Sequence, residues 1–229
     1  MNFRETVLNA ATVLAALSAV LTTGIAARRE FGRPAEVART KEATAEPRII
    51  RNWMSFSAGA HRMGATNPRV TIIEFGDFEC PACRAFWTQT HAVFGRHAND
   101  VTLAFRHWPL SYHRLAYPAA RAAECAAAQG RFEAYYNALY GTQDSLGLIT
   151  FHELAKRARV PNLSQFDGCN ASVARVAVID SGSAAAMRLS ARGTPTLLVN
   201  GLLLPGVPDS AALEQLIADA EKPVHDQPR

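Results

Sequence analysis

Val70-Thr71-Ile72-Ile73-Glu74-Phe75-Gly76-Asp77-Phe78-Glu79-Cys80-Pro81-Ala82-Cys83 is the stretch on which the fold turns. Residues 70–76 are rich in β-branched and apolar residues, the pattern of a buried strand, with Glu74 the one charge among them. After three intervening residues, Cys80-Pro81-Ala82-Cys83 opens a helical pattern over 81–97. Proline stands in its first turn, where a missing N–H costs nothing. Residues 101–105, Val-Thr-Leu-Ala-Phe, read as a second strand that ends before Pro109. Strand, helix and strand at this spacing form a βαβ unit with a parallel pair.

Downstream, residues 113–190 are almost wholly helical in pattern, with helices expected over 115–129, 132–140, 151–160 and 173–191. Residues 195–199 then read as a strand, Asn200-Gly201 as a two-residue hairpin turn and 202–204 as its partner. Ser210 caps a last helix that runs to 221. Upstream, a short strand is expected within 49–57, and Gly59, Gly64 and Asn67-Pro68 mark turns. The order is βαβ, a helical block, then ββα.

The position of Cys80 and Cys83 dictates their chemistry. A helix N-terminus offers free N–H groups and a partial positive charge, which lower the pKa of the first thiol and produce the nucleophilic thiolate. One turn on, the second thiol can close the ring. Cys80 is thus expected as the attacking, more exposed sulfur and Cys83 as the resolving, more buried one. A zinc site at this pair would want a second CxxC or an HxxxH pair, and neither occurs, so no metal is expected. A Cys-x-x-Cys directly after a strand of a βαβ unit is a strong redox signal.

Together with Gly193-Thr194-Pro195-Thr196-Leu197-Leu198-Val199-Asn200-Gly201, the opening stretch resembles the DsbA-like thiol–disulfide oxidoreductases. The likeness spans about residues 50–221. It implies an α/β, thioredoxin-like fold (βαβ…ββα) with an inserted α-helical domain at about 113–190. It also implies that Pro195 is a cis-proline beside the active site, with the Thr194 backbone, Pro81 and Ala82 meeting substrate. Alternation puts Glu74 on the same strand face as Gly76, and a buried carboxylate is costly without a task. The resemblance gives it one: a proton relay for Cys83. The other reading is an edge residue facing solvent. Some strongly oxidising relatives carry His where Ala82 stands, so a less oxidising potential is expected. The resemblance further implies a structural disulfide between Cys125 and Cys169, although two separate buried thiols also fit the sequence. The redox cofactor is the Cys80–Cys83 pair itself.

Other residues carry weaker expectations. Asp77 and Glu79 read as exposed loop acids that could raise the Cys80 pKa. His107 and His113 read as structural. Tyr112, Tyr117, Tyr135, Tyr136 and Tyr140 are expected to pack the insertion. Phe86 and Trp87 could line a peptide groove or the core.

Composition fixes the setting. The chain has 229 residues, 48% hydrophobic and 19% charged, which suits a globular protein rather than a disordered one. Its net charge of +4 is uneven: residues 1–69 carry ten basic and five acidic side chains, and residues 70–229 carry fourteen and fifteen. A near-neutral body argues against a nucleic-acid-binding domain. Residues 7–27 hold no charge and as a helix would reach about 31 Å, enough to cross a bilayer. Residues 1–27 therefore read as a signal peptide or membrane anchor, 28–48 as a polar linker, 49–221 as the enzyme domain and 222–229 as a tail. Arg28, Arg29 and Arg33 run against the usual charge bias of such a segment. Exported, periplasmic or otherwise extracytoplasmic, the domain would exchange disulfides with thiol-bearing substrate proteins, and a redox partner would reset it. Membrane contact would come only through the N-terminal segment. An oxidase is favoured over an isomerase, because 28–69 is too short and polar for a dimerisation domain. A peptide-binding chaperone and a reductase dedicated to cytochrome maturation are the alternatives.

Overall fold

The computed structural model describes residues 46–221. The expected leader, most of the linker and the tail lie outside that range. Strand β3 (Val70–Gly76) and strand β4 (Val101–His107) pair in parallel, in register from Val70 opposite Val101 to Gly76 opposite His107. Every residue of both strands is buried, because both faces of the sheet are covered and the strands are central. Between them runs helix α1 (Pro81–Phe94).

Strand β5 (Thr196–Val199) pairs antiparallel with β3 on its other side. It turns back through Asn200 (φ 44°) and Gly201 (φ 92°) into β6 (Leu202–Leu203). The positive φ values suit Asn-Gly. A Cβ on Gly201 would stand 2.4 Å from the Trp53 ring, so packing as well as backbone requires glycine. The Asn200 amide ties the hairpin to β3: its Oδ1 accepts from Thr71 N (2.8 Å) and its Nδ2 donates to the Arg69 carbonyl (3.0 Å).

The sheet is completed by β1 (Arg48–Ile49) on β6 and β2 (His61–Gly64) on β4, both antiparallel. The six strands lie in the order β1-β6-β5-β3-β4-β2. The sequence expected a strand within 49–57 and only turns around 59–68. The chain instead leaves the sheet after Ile49, makes a 3-10 turn at Trp53–Ser57, and returns as β2. Only Met63 of β2 is buried, so this strand is held by its pairing with β4 and carries no apolar signature of its own.

The helical block contains α2 (Ala116–Ala127), α3 (Phe132–Gly141), α4 (Phe151–Arg157), α5 (Leu163–Asn170) and α6 (Ala177–Arg188). Helix α5 escaped the sequence reading. It buries only Phe166, and its Asp-Gly-Cys stretch looks like a loop, but Asn162 caps it through Gln165 N (2.9 Å). Helix α6 belongs to the sheet rather than to the insertion. Its Ala185 and Ala186 pack with Ile73, Phe75, Ala104 and Leu198 on one face. The other face carries α1, α7 (Ser210–Glu221) and the insertion, joined through Ile72, Phe86, Leu103, Tyr135, Leu213 and Ile217.

Candidate active site

Cys80 is the N-cap of α1, with extended backbone (φ −77°, ψ 121°), and Pro81 is the first helical residue. Pro81 and Ala82 are exposed, Cys80 is nearly covered and Cys83 is fully buried. Both sulfurs are free thiols. Cys80 Sγ donates to the Thr194 carbonyl oxygen (3.2 Å), and the Thr194–Pro195 peptide is cis. The cis-proline loop therefore touches the first sulfur of the motif directly. Beside Pro195 opens a groove of about 790 Å³, walled by Arg48, Arg192, Thr196 and Leu204.

The two sulfurs are driven apart in acidity. The Cys80 pKa falls to about 5: the Cys83 thiol can donate to the Cys80 thiolate, which outweighs the opposing effect of burial, and the Cys83 and Ala82 N–H groups at the helix start add to it. Thr194 Oγ1 has no partner while Cys80 is a thiol and is a further donor for the thiolate. Cys83 moves the other way, well above its ordinary value. Burial is the main cause, its hydrogen bond to Cys80 the second and the Glu74 charge the third. The Asp77 N–H (3.5 Å from Cys83 Sγ) opposes them only weakly.

Glu74 is on a central strand, fully buried, not on an edge. Burial pushes its carboxyl up to about 8, against the Tyr136 hydroxyl, which donates to Oε2 (3.3 Å). Oε1 has no partner. Gly76 makes room for this carboxylate: a Cβ there would meet Phe105 at 2.4 Å and Glu74 Oε1 at 2.8 Å. Tyr140 completes the wall, its hydroxyl on the Asp77 carbonyl oxygen (3.3 Å).

The loop 77–79 departs from the sequence reading. Asp77 is buried, because its carboxylate accepts three hydrogen bonds of 2.8 Å, from Glu79 N, Leu110 N and His113 Nδ1. Glu79 is half-buried and accepts from Leu115 N at the start of α2. Both acids fasten the loop to the following segments. Gln143, which carried no sequence signal, donates from Nε2 to the Phe78 (2.8 Å) and Cys80 (3.0 Å) carbonyl oxygens.

The remaining candidates sort by burial. Phe86 is core. Trp87 donates to Asn137 Oδ1 (2.9 Å) and stacks on Tyr140, tying α1 to α3 instead of lining a groove. Tyr135, Tyr136 and Tyr140 pack the insertion, but Tyr112 is 75% exposed. Tyr117 is half-buried, its hydroxyl accepting from Val176 N (2.9 Å). Cys125 and Cys169 are bridged, joining α2 to α5. His107 does not reach the thiols. Its Nε2 meets Glu124 Oε1 (2.7 Å), burial lowers its pKa, and hydrogen bonds from His107 and His61 overcome burial to hold Glu124 near 2.

The family model described as thioredoxin matches residues 57–219. Among solved structures, a thioredoxin-like oxidoreductase from Silicibacter pomeroyi aligns with a TM-score of 0.65 at 27% identity, covering 76% of this chain and all of its own. BdbD from Bacillus subtilis aligns with a TM-score of 0.65 at 20% identity, over 72% of this chain and 95% of its own. A Na(+)/H(+) antiporter NhaA 1 from Mycolicibacterium gilvum is 36% identical over 158 residues, which are 67% of this chain but 25% of that protein. This chain thus spans about a quarter of the length of the curated relatives it matches, and the antiporter name describes those proteins as wholes. With a family model covering most of the described residues and a sheet that places Cys80 against a cis-proline, the chain belongs to the thioredoxin family, in the form that carries a helical insertion.

Proposed function

We propose that the protein is an extracytoplasmic thiol–disulfide oxidoreductase that works mainly as an oxidase of substrate proteins. One observation carries this reading: an acidified Cys80 lies over a buried, weakly acidic Cys83 at the start of one helix. In the disulfide form, a substrate thiolate attacks the Cys80 sulfur. The Cys80–Cys83 bond breaks, a mixed disulfide forms and Cys83 leaves with the electron pair. Cys83 then takes up a proton. Glu74, protonated at pH 7, is the neighbouring acid that supplies it. A second substrate thiolate attacks the substrate sulfur of the mixed disulfide, and Cys80 leaves as a thiolate. Two electrons have passed from the substrate dithiol to the pair, and a redox partner must remove them.

The direction follows from the leaving group. A stabilised Cys80 thiolate favours the reduced pair, and a pair that prefers to be reduced is an oxidant. Ala82 provides no imidazole for this purpose, so the thiolate rests on Cys83, the helix N–H groups and Thr194. The groove beside Pro195 and the exposed Pro81 and Ala82 offer a surface for a substrate backbone. Residues 7–27 and the Cys125–Cys169 bridge fit an oxidising compartment outside the cytoplasm.

The test is a pair of measurements. Glutathione titration of Cys80–Cys83 should give a potential between about −120 and −200 mV, the range of oxidases and isomerases. A value near −270 mV, that of thioredoxin, would turn the reading to a reductase. In refolding of reduced ribonuclease, Cys80→Ser should abolish disulfide formation. Activity that survives this change would leave only a chaperone.

A further inference from the structure

Three side chains from three elements converge at the sheet edge, and the redox chemistry uses none of them. His61 comes from the edge strand β2, His107 from the last position of β4 and Glu124 from α2 of the insertion. Both imidazole Nε2 atoms lie on the same carboxylate oxygen, Glu124 Oε1, at 2.6 and 2.7 Å. All three donor atoms fall within 4.8 Å of one another. We propose that His61, His107 and Glu124 form a binding site for a divalent transition-metal ion of the zinc type.

The donor set fits the ion. Two imidazoles and one carboxylate are a standard three-residue zinc set, with a fourth position left to water. A tetrahedral ion held at about 2.0–2.1 Å from each donor separates the donors by roughly 3.3 Å. The cluster must therefore open by about 0.6 Å. The place to open is β2, at the end of the sheet, where His61 stacks on Phe132 with rings 3.5 Å apart and can slide along that ring. His107 is the fixed ligand, 1% exposed and packed edge-on against the rings of Phe78 and Phe105. Without the ion, its Nε2 donates its proton to Glu124 Oε1; Nδ1 has no partner, so the proton can move to Nδ1 and leave the Nε2 lone pair for the ion. His61 and Glu124 keep 21% and 16% of their side chains exposed, which gives ion and water a way in. Bound there, the ion would clamp the sheet edge to the insertion next to Cys125.

Zn²⁺ itself is the probe, titrated by calorimetry and followed by thermal melting. The untagged protein is kept oxidised so that Cys80 and Cys83 cannot act as ligands. One equivalent should bind and the melting temperature should rise. His61→Phe keeps the stack on Phe132 and should lower the Zn²⁺ affinity at least tenfold and remove the shift in melting, with the redox activity unchanged. Glu124→Gln should do the same. Absence of binding to the wild type up to millimolar Zn²⁺, or binding undiminished in His61→Phe, would overturn the assignment. So would a shift in melting that persists in both variants.

Discussion

Replacing Glu74 by Gln should make the protein's stability less dependent on pH, by an amount the site itself sets. The carboxyl titrates at 4.5 in the unfolded chain and at about 8 in the folded one. Below pH 4.5 both states are protonated and the group contributes nothing. Between 4.5 and 8 the unfolded chain releases a proton that the folded chain retains, so each pH unit costs the folded state about 1.36 kcal/mol. Above 8 the cost levels off. Integrated from pH 5 to pH 8, the loss is roughly 3–4 kcal/mol in the wild type and absent in Glu74→Gln. The glutamine keeps an acceptor for the Tyr136 hydroxyl but buries an NH₂ where Oε1 has no partner, which adds a pH-independent cost of about 1–3 kcal/mol. The two contributions separate because only one varies with pH. The assay is urea unfolding of both proteins, oxidised, at intervals from pH 5 to 8, followed by tryptophan fluorescence. Oxidation removes the Cys80 charge, a lesser cause of the shift, and leaves burial, the main one. Parallel stability curves for the two proteins would refute the buried acid, and with it the proposed proton donor to Cys83.

Alkylation of Cys80 in the reduced protein should report a thiolate with a midpoint near pH 5, where the hydrogen bond from Cys83 holds it; a midpoint between 8 and 9 would remove the basis for an oxidase. Gly76→Ala should destabilise by about 1–3 kcal/mol through overpacking against Phe105 and Glu74, read by denaturant unfolding; an unchanged midpoint would show that the pocket yields. Cys125→Ser opens a loop of 44 residues and should cost about 4 kcal/mol in the chain-entropy account; an oxidised variant with the wild-type melting temperature would count against the bridge as a staple.

Residues 70–83 and 193–201 were legible because they obey strong local rules. A continuous apolar run is buried on both faces, proline at a helix start follows a cap, and Asn-Gly makes a tight turn. Glu74 was legible for the same reason, since a carboxylate in such a run has few places to go. What the sequence concealed depends on partners far along the chain. Asp77 looks like a loop acid until Leu110 and His113 close on it from 33 and 36 residues away. Strand β2 exists through β4, and α5 through one phenylalanine and a cap. Tyr112 shares helical spacing with its neighbours but precedes the helix, in a turn that leaves it in solvent. The His61–His107–Glu124 cluster spans 63 residues from first to last, a separation no short motif can express.

Gln143 sits between α3 and α4, yet its amide holds the backbone on which Cys80 stands. The insertion is thus not an exchangeable module. A chimera that grafts a helical block from another member of the family onto this sheet would need an equivalent amide at that one position. Without it, the graft would fold with a loosened turn before the helix. Engineering of substrate preference through the insertion and tuning of the redox pair would then have to be done as one problem.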